Sequence, residues 1–199
     1  MKFLVFTDIH ENEAQLKSLV ARARKEDIDF IICLGDFSTF GRGGRHVVEM
    51  FKAVGKKLYI IPGNHEEHGD VFLQAISSYG GCVNMHQREE RVEGYVFLGY
   101  GGGGFNQEDG TFRKIARNWY GEYKDEKVVL LLHGPPLGTN VDLLNNRYVG
   151  NKDYRAFIER IKPKLVLCGH LHETAGVVDT IGATKVANPG WDGMVIELK

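Results

Sequence analysis

No Cys-x-x-Cys pair occurs in this chain, and its cysteines stand far apart at Cys33, Cys82 and Cys168. A thiolate cage for a structural zinc is therefore excluded, and Cys33 and Cys168, set within apolar runs, read as buried free thiols. Long hydrophobic runs are missing too. The longest, Phe30 to Leu34 and Val128 to Leu132, fall far short of the roughly 20 residues a membrane helix needs. Phe3 to Phe6 meets Thr7 and Asp8 too soon to be the apolar region of a secretion signal, so the expectation is a soluble, cytoplasmic protein without a membrane partner. Neither sign of charge is in excess: 25 basic and 26 acidic residues give a net charge of -1 with no block of like charge. A general electrostatic pull toward nucleic acid is therefore not indicated. No repeat or low-complexity tail is visible, and 199 residues with 43% hydrophobic content suit a single domain over 1–199 with little room for a cap.

What the chain does have is glycine, at 25 of its 199 residues, against a usual share of roughly 7%. Many flank short runs of potential metal ligands, as Gly35, Gly63, Gly134, Gly169 and Gly190 do, where tight turns follow apolar segments. Those segments predict strands at Phe3 to Phe6, Phe30 to Leu34, Leu58 to Ile61, Tyr95 to Leu98, Val128 to Leu132, Leu165 to Cys168, Thr184 to Ala187 and Met194 to Leu198. Most are continuously apolar, which implies burial on both faces. Helical stripes lie between several of them. These are Leu16, Leu19, Val20 and Ala23; Val47, Val48, Phe51 and Val54; Phe72, Ala75, Ile76 and Tyr79; Phe112, Ile115, Ala116 and Trp119; and Tyr154, Phe157, Ile158 and Ile161. The spacing fits an α/β chain in which one sheet packs on another with helices outside.

Five blocks then follow apolar strands in turn: Asp8-Ile9-His10, Gly35-Asp36, Gly63-Asn64-His65, His133, and Gly169-His170-Leu171-His172. In an extended strand end, residues two apart point the same way, so Asp8 can act with His10 and His170 with His172. Each block alone is weak. Together they supply enough carboxylate, amide and imidazole groups for two ions, at the strand ends where ligand sites collect. Such a donor set suits Mn, Fe, Zn, Co or Ni. His46, His68 and His86 lie outside the blocks and read as surface or loop residues.

In order and spacing the blocks resemble the calcineurin-like metallophosphoesterases, whose pattern runs D-x-H, G-D, G-N-H followed by D or E, H, and G-H-x-H. The match extends to Glu66 after His65 and covers Asp8 to His172. The resemblance implies a four-layer sandwich of two mixed β-sheets packed face to face and flanked by helices. It implies two divalent metal ions, the first held by Asp8, His10, Asp36 and His172, the second by Asp36, Asn64, His133 and His170, with Asp36 bridging. It further implies in-line hydrolysis of phosphate esters by a hydroxide held between the ions. Asn64 and His65 would bind substrate, and His65 would donate to the phosphate or protonate the leaving oxygen. Glu66 is a candidate partner for His65.

Protein serine/threonine phosphatases of this superfamily continue the second block as G-D-x-x-D-R-G. Here Gly35-Asp36 runs on as Phe37, Ser38, Thr39 and Phe40, without the second aspartate or the arginine. The departure favours small bacterial and archaeal phosphoesterases, many of them phosphodiesterases, acting on small phosphorylated substrates. A catalytically silent scaffold or binding module of the same fold is one alternative. A nuclease is another, with Arg42, Arg45, Lys52, Lys56 and Lys57 as its local basic cluster. Asn188-Pro189-Gly190 reads either as a turn closing the last hairpin or as a substrate contact. The run Gly101 to Gly104 suggests a lip over the metals, with Phe105 or Tyr100 touching the substrate's organic part.

Overall fold

A computed structural model describes residues 1–25, 27–67 and 70–199; His68 lies outside them. The first half alternates as the sequence predicts through β1 (Lys2–Phe6), α1 (Glu13–Lys25), β2 (Phe30–Cys33), α2 (Gly44–Lys52), β3 (Leu58–Ile60) and α3 (Val71–Ile76), and β4 (Cys82–Asn84) follows. The second half runs β5 (Arg88–Val92), β6 (Tyr95–Tyr100), α4 (Gly110–Tyr123), β7 (Val128–Leu132), β8 (Leu143–Leu144), β9 (Arg147–Tyr148), α5 (Lys152–Ile161), β10 (Leu165–Leu167), β11 (Val178–Ile181), β12 (Thr184–Ala187) and β13 (Met194–Glu197). Helix starts follow local chemistry. The side-chain oxygens of Asn12, Asp109 and Asn151 each accept backbone N–H groups from the first turn of the helix that follows.

Two sheets result, with strand orders β13-β1-β2-β3-β4 and β11-β12-β10-β7-β6-β5; β8 and β9 form a separate ribbon. Both large sheets are mixed: β13 runs antiparallel to β1, and β5 and β11 run antiparallel to their neighbours, while the interior strands are parallel. The continuous apolar strands make four layers possible, because successive residues face opposite sides. Phe3, Val5, Phe30 and Ile32 meet Phe97, Val129, Leu131 and Leu167 between the sheets. Leu4, Phe6, Ile31 and Cys33 pack outward on α1, α2 and α3 through Leu16, Leu19, Val47, Phe51 and Phe72. Val96, Leu98, Leu130, Val166 and Cys168 pack on α4 and α5 through Phe112, Trp119, Phe157 and Ile158. Among the described residues no helix is long and apolar enough to cross a membrane.

Apolar patterning missed the short β8–β9 ribbon and, in the large sheets, β4, β5 and β11. Each of the last three is a sheet edge, and β5 reads Arg-Glu-Glu-Arg-Val, because an edge strand is protected by charge more than by burial. The segment around Asn188 closes no hairpin: β12 and β13 belong to different sheets, so the chain crosses between layers there.

Candidate metal centre

The ends of β1, β2 and β3 in one sheet and of β7 and β10 in the other open onto a common seam. The backbone knits the loops before any side chain acts. The Asp8 and His10 N–H groups donate to Gly35 and Asp36 carbonyls at 3.1 and 3.0 Å, and the Gly169 N–H donates to His133 at 2.7 Å. Asp8, His10, Asp36 and His170 all have left-handed backbones, with φ of 56°, 42°, 48° and 70°. Left-handed non-glycine residues are uncommon and gather at functional sites. Gly63 must lack a side chain, since a Cβ there would lie 2.0 Å from Asp36 Oδ1.

The sequence-predicted residues converge. Asp8, His10 and His172 form one cluster; Asp36, His133 and His170 form a second; His10, Asp36 and His65 form a third between them, with the ligating atoms of each cluster within 4.8 Å of one another. Asp36 Oδ2 lies 3.5 Å from His133 Nε2 and 4.0 Å from the Nε2 atoms of both His10 and His65. His133 Nε2 is also 3.1 Å from Asn64 Oδ1, and the Nε2 atoms of His10 and His172 face each other at 3.1 Å. The expected pairing of His170 with His172 is not found: the left-handed turn at His170 sends the two rings to different clusters. Asp8 and His10 do cooperate, although through left-handed turns and not through an extended strand end.

Supporting contacts aim these groups. His133 Nδ1 donates to the Leu34 carbonyl at 2.8 Å, so Nε2 is the nitrogen left to offer a lone pair once its proton is lost to a metal. Asp8 Oδ2 accepts from the His170 N–H and Asp36 Oδ1 from the His65 N–H, both at 2.9 Å, so one oxygen of each carboxylate is anchored and the other faces the site. Glu66 is neither an exposed loop acid nor a partner of the His65 ring. It is 2% exposed. Its carboxylate accepts from the N–H groups of Asp36, Ser38 and Gly63 and from the Ser38 hydroxyl, clamping the second and third loops together. Asn188, also buried, donates to the Leu171 carbonyl and to Thr174, steadying the loop that carries His170 and His172.

Burial and the mutual attraction of neighbouring groups set the electrostatics of the site. Burial opposes the charge on Asp36 and on His133. Their mutual hydrogen bond and attraction nonetheless hold the Asp36 carboxyl down at about 2 and the His133 imidazole up at about 9 in the metal-free chain. Burial raises Asp8, with the nearby Asp36 charge adding to it and His133 opposing. Burial, reinforced by the His133 charge, pushes His170 down to about 4, and burial lowers His10. Asp8 Oδ1 and His170 Nε2 are buried without any hydrogen-bond partner. Leaving such an atom unsatisfied costs about 1–3 kcal/mol, so two unsatisfied ligating atoms in neighbouring clusters fit a cation-binding role. The residues present therefore suit a metal pair.

One feature escaped sequence reading. Phe40, at the tip of the turn after β2, stacks on His65 with ring centroids 4.2 Å apart and an interplanar angle of 19°. Its N–H also donates to His65 Nδ1 at 3.3 Å. Phe105 meets the edge of His170 at 4.3 Å, whereas the Tyr100 ring is buried with its hydroxyl donating to Asp109. His46 is an exposed partner of Glu13; His86 is a half-buried loop residue whose Nδ1 accepts the Gly101 N–H.

A sequence profile described as calcineurin-like phosphoesterase matches residues 1–174. A UPF0046 protein of Caenorhabditis elegans is 26% identical over 207 residues, spanning 94% of this chain and 68% of that protein. Among solved structures, TT1561 of Thermus thermophilus superposes with a TM-score of 0.77 at 18% identity, covering 96% of this chain and 90% of that one. A dimetal phosphatase from Danio rerio superposes at 0.63 with 11% identity, over 94% and 86%. At such identities the structural likeness speaks for the fold.

Proposed function

The chain belongs to the calcineurin-like phosphoesterase family, and on that premise we propose that it is a dimetal-dependent hydrolase of small phosphate esters, phosphodiesters foremost. The observation that carries this reading is Asp36 Oδ2, which faces imidazoles delivered by three other strand ends while Asp8 Oδ1 and His170 Nε2 lie buried without hydrogen-bond partners. Asp8, His10, Asp36 and His172 would hold one ion and Asp36, Asn64, His133 and His170 the other, as Mn, Fe, Zn, Co or Ni. A bound metal pair supplies Lewis acidity, making water a nucleophile near neutral pH and drawing charge from the phosphoryl oxygens.

The chain's own groups do the rest. Because His65 Nδ1 accepts the Phe40 N–H, the neutral ring carries its proton on Nε2, the nitrogen that faces Asp36. His65 is thereby set to donate to a phosphoryl oxygen or to the departing alkoxide. Asn64, beside His133, presents its amide toward the same space. Where a protein phosphatase of this superfamily has its second aspartate and arginine, this chain has the Thr39–Phe40 turn, which leaves fewer charged groups for a dianionic monoester and favours the singly charged diester. Arg45 of the basic cluster is paired with Glu49 at 2.9 Å, and Arg42 Nε turns back onto the Thr39 carbonyl at 3.5 Å. These contacts favour a small ester over a polymeric nucleic acid.

The test is turnover of bis-p-nitrophenyl phosphate and p-nitrophenyl phosphate by protein loaded in turn with Mn, Ni, Co and Zn. The expected result is metal-dependent hydrolysis with the diester preferred. No metal-dependent turnover of either substrate overturns the proposal.

A further inference from the structure

Phe40 and Phe105 are 68% and 62% exposed, and with Tyr148 they are the large aromatic side chains that stand in solvent among the described residues. Each could have been an ordinary polar loop residue. Each instead lies against an imidazole of the site: Phe40 flat on His65, Phe105 edge-on to His170. Both imidazoles belong to clusters that share Asp36.

The backbone goes to some lengths to present these rings. Phe40 has φ of 50°, unfavourable for a bulky residue, and the turn is fastened by reciprocal Thr39–Arg42 backbone hydrogen bonds and by the Gly41 N–H donating to Ser38. Phe105 follows Gly102, Gly103 and Gly104, all at positive φ, a path open to glycine; the Gly103 N–H donates to Glu67, and the Asn106 N–H donates back to Gly103. Two strained or glycine-dependent loops thus each place one ring in water at the edge of the same site. Exposure and strain are both unfavourable for folding, so packing alone does not account for either ring.

We infer that Phe40 and Phe105 are specificity residues, apolar jaws that select phosphoesters whose alcohol part is a flat ring. This deepens the proposed hydrolase reading and rests on it. An alcohol leaving past His65 passes the Phe40 ring, and the free face of that ring offers stacking to a planar group. Phe105 supplies a second apolar wall beside His170. An alkyl ester gains little from either, because the aromatic attraction depends on a facing π-system.

The test measures binding by calorimetry to the Mn-loaded protein, using phenylphosphonate and methylphosphonate, neither of which is cleaved. Wild-type protein is expected to bind the phenyl compound about tenfold more tightly. Phe40→Leu and Phe105→Leu each keep an apolar side chain, and the Phe40 main-chain N–H to His65 survives the first; each is expected to bring the affinity ratio close to unity. A ratio near unity in the wild type, or a wild-type ratio retained by both variants, overturns the inference even if the protein hydrolyses phosphoesters. If neither phosphonate binds, the inference falls as well. Turnover of bis-p-nitrophenyl phosphate in the same sample then shows whether the hydrolase proposal falls with it.

Discussion

The two sheets contribute unequally to the seam between them. The β1–β3 side brings both carboxylates, the amide and two imidazoles, and it carries nearly all the left-handed backbone, at Asp8, His10, Glu11, Asp36 and Phe40. The β7–β10 side brings imidazoles alone, with the left-handed turn at His170. One side therefore supplies the carboxylates, and the other supplies imidazoles alone. Negative groups crowded on one side repel each other until a cation or a proton arrives, and His133, 3.5 Å from Asp36 across the seam, offsets part of that charge. The site is assembled across the seam, and no single sheet contains it.

Substitutions on the two sides should separate these roles. The largest effect is expected from Asp36→Asn, which removes the shared carboxylate: metal stoichiometry, read by elemental analysis, should fall for both ions and turnover should drop to background. His170→Ala, on the other sheet, should cost one ion and spare the other. Equal losses in the two variants would show that the two sheets do not hold the ions separately. His65→Ala should lower turnover by about 10²–10⁴-fold with metal content intact; if metal were lost instead, His65 would be a ligand and its assigned role wrong.

Glu66→Gln tests the clamp on the carboxylate side. The amide retains one acceptor oxygen for a set of buried donors that two carboxylate oxygens now serve. Removing a contact of this supporting kind should weaken metal affinity or activity by about 10–100-fold. It should also destabilise the fold by roughly 1–3 kcal/mol in urea denaturation. An unchanged metal titration would show that the second and third loops hold their places without Glu66.

The smallest effect lies where the seam closes away from the histidine and aspartate clusters. His86, after β4, accepts the Gly101 N–H after β6, and burial holds its pKa below the ordinary 6.5. Above pH 6.5 the ring is neutral in both folded and unfolded chains and costs nothing. As pH falls below that value the unfolded chain takes up a proton that the folded chain resists, so stability declines until the folded pKa is reached. His86→Gln, which can still accept from Gly101, should lessen the drop in urea midpoint between about pH 7 and about pH 5. A drop as large as in the wild type would assign the acid sensitivity elsewhere.

Local pattern in the sequence determined much of this protein. The α1 stripe of Leu16, Leu19, Val20 and Ala23 and the α5 stripe of Tyr154, Phe157, Ile158 and Ile161 are the buried faces of those helices. The ligand blocks stand at strand ends because each is a short motif directly after an apolar run. Periodicity and adjacency are properties of neighbours, so they can be read without a fold. The edge strands β4, β5 and β11 could not be read this way, since half-exposed pairing leaves no apolar signature. The tertiary structure alone decided which way each site group faces: Glu66 clamping Asp36 across 30 residues, the Leu34 carbonyl orienting His133 across 99, and Asp8 catching the His170 N–H across 162. It also decided that Phe40, unremarkable in its loop, would lie on His65. A hydrogen bond or a ring contact has a range of a few ångströms, and only the packing of two sheets brings such distant residues within it.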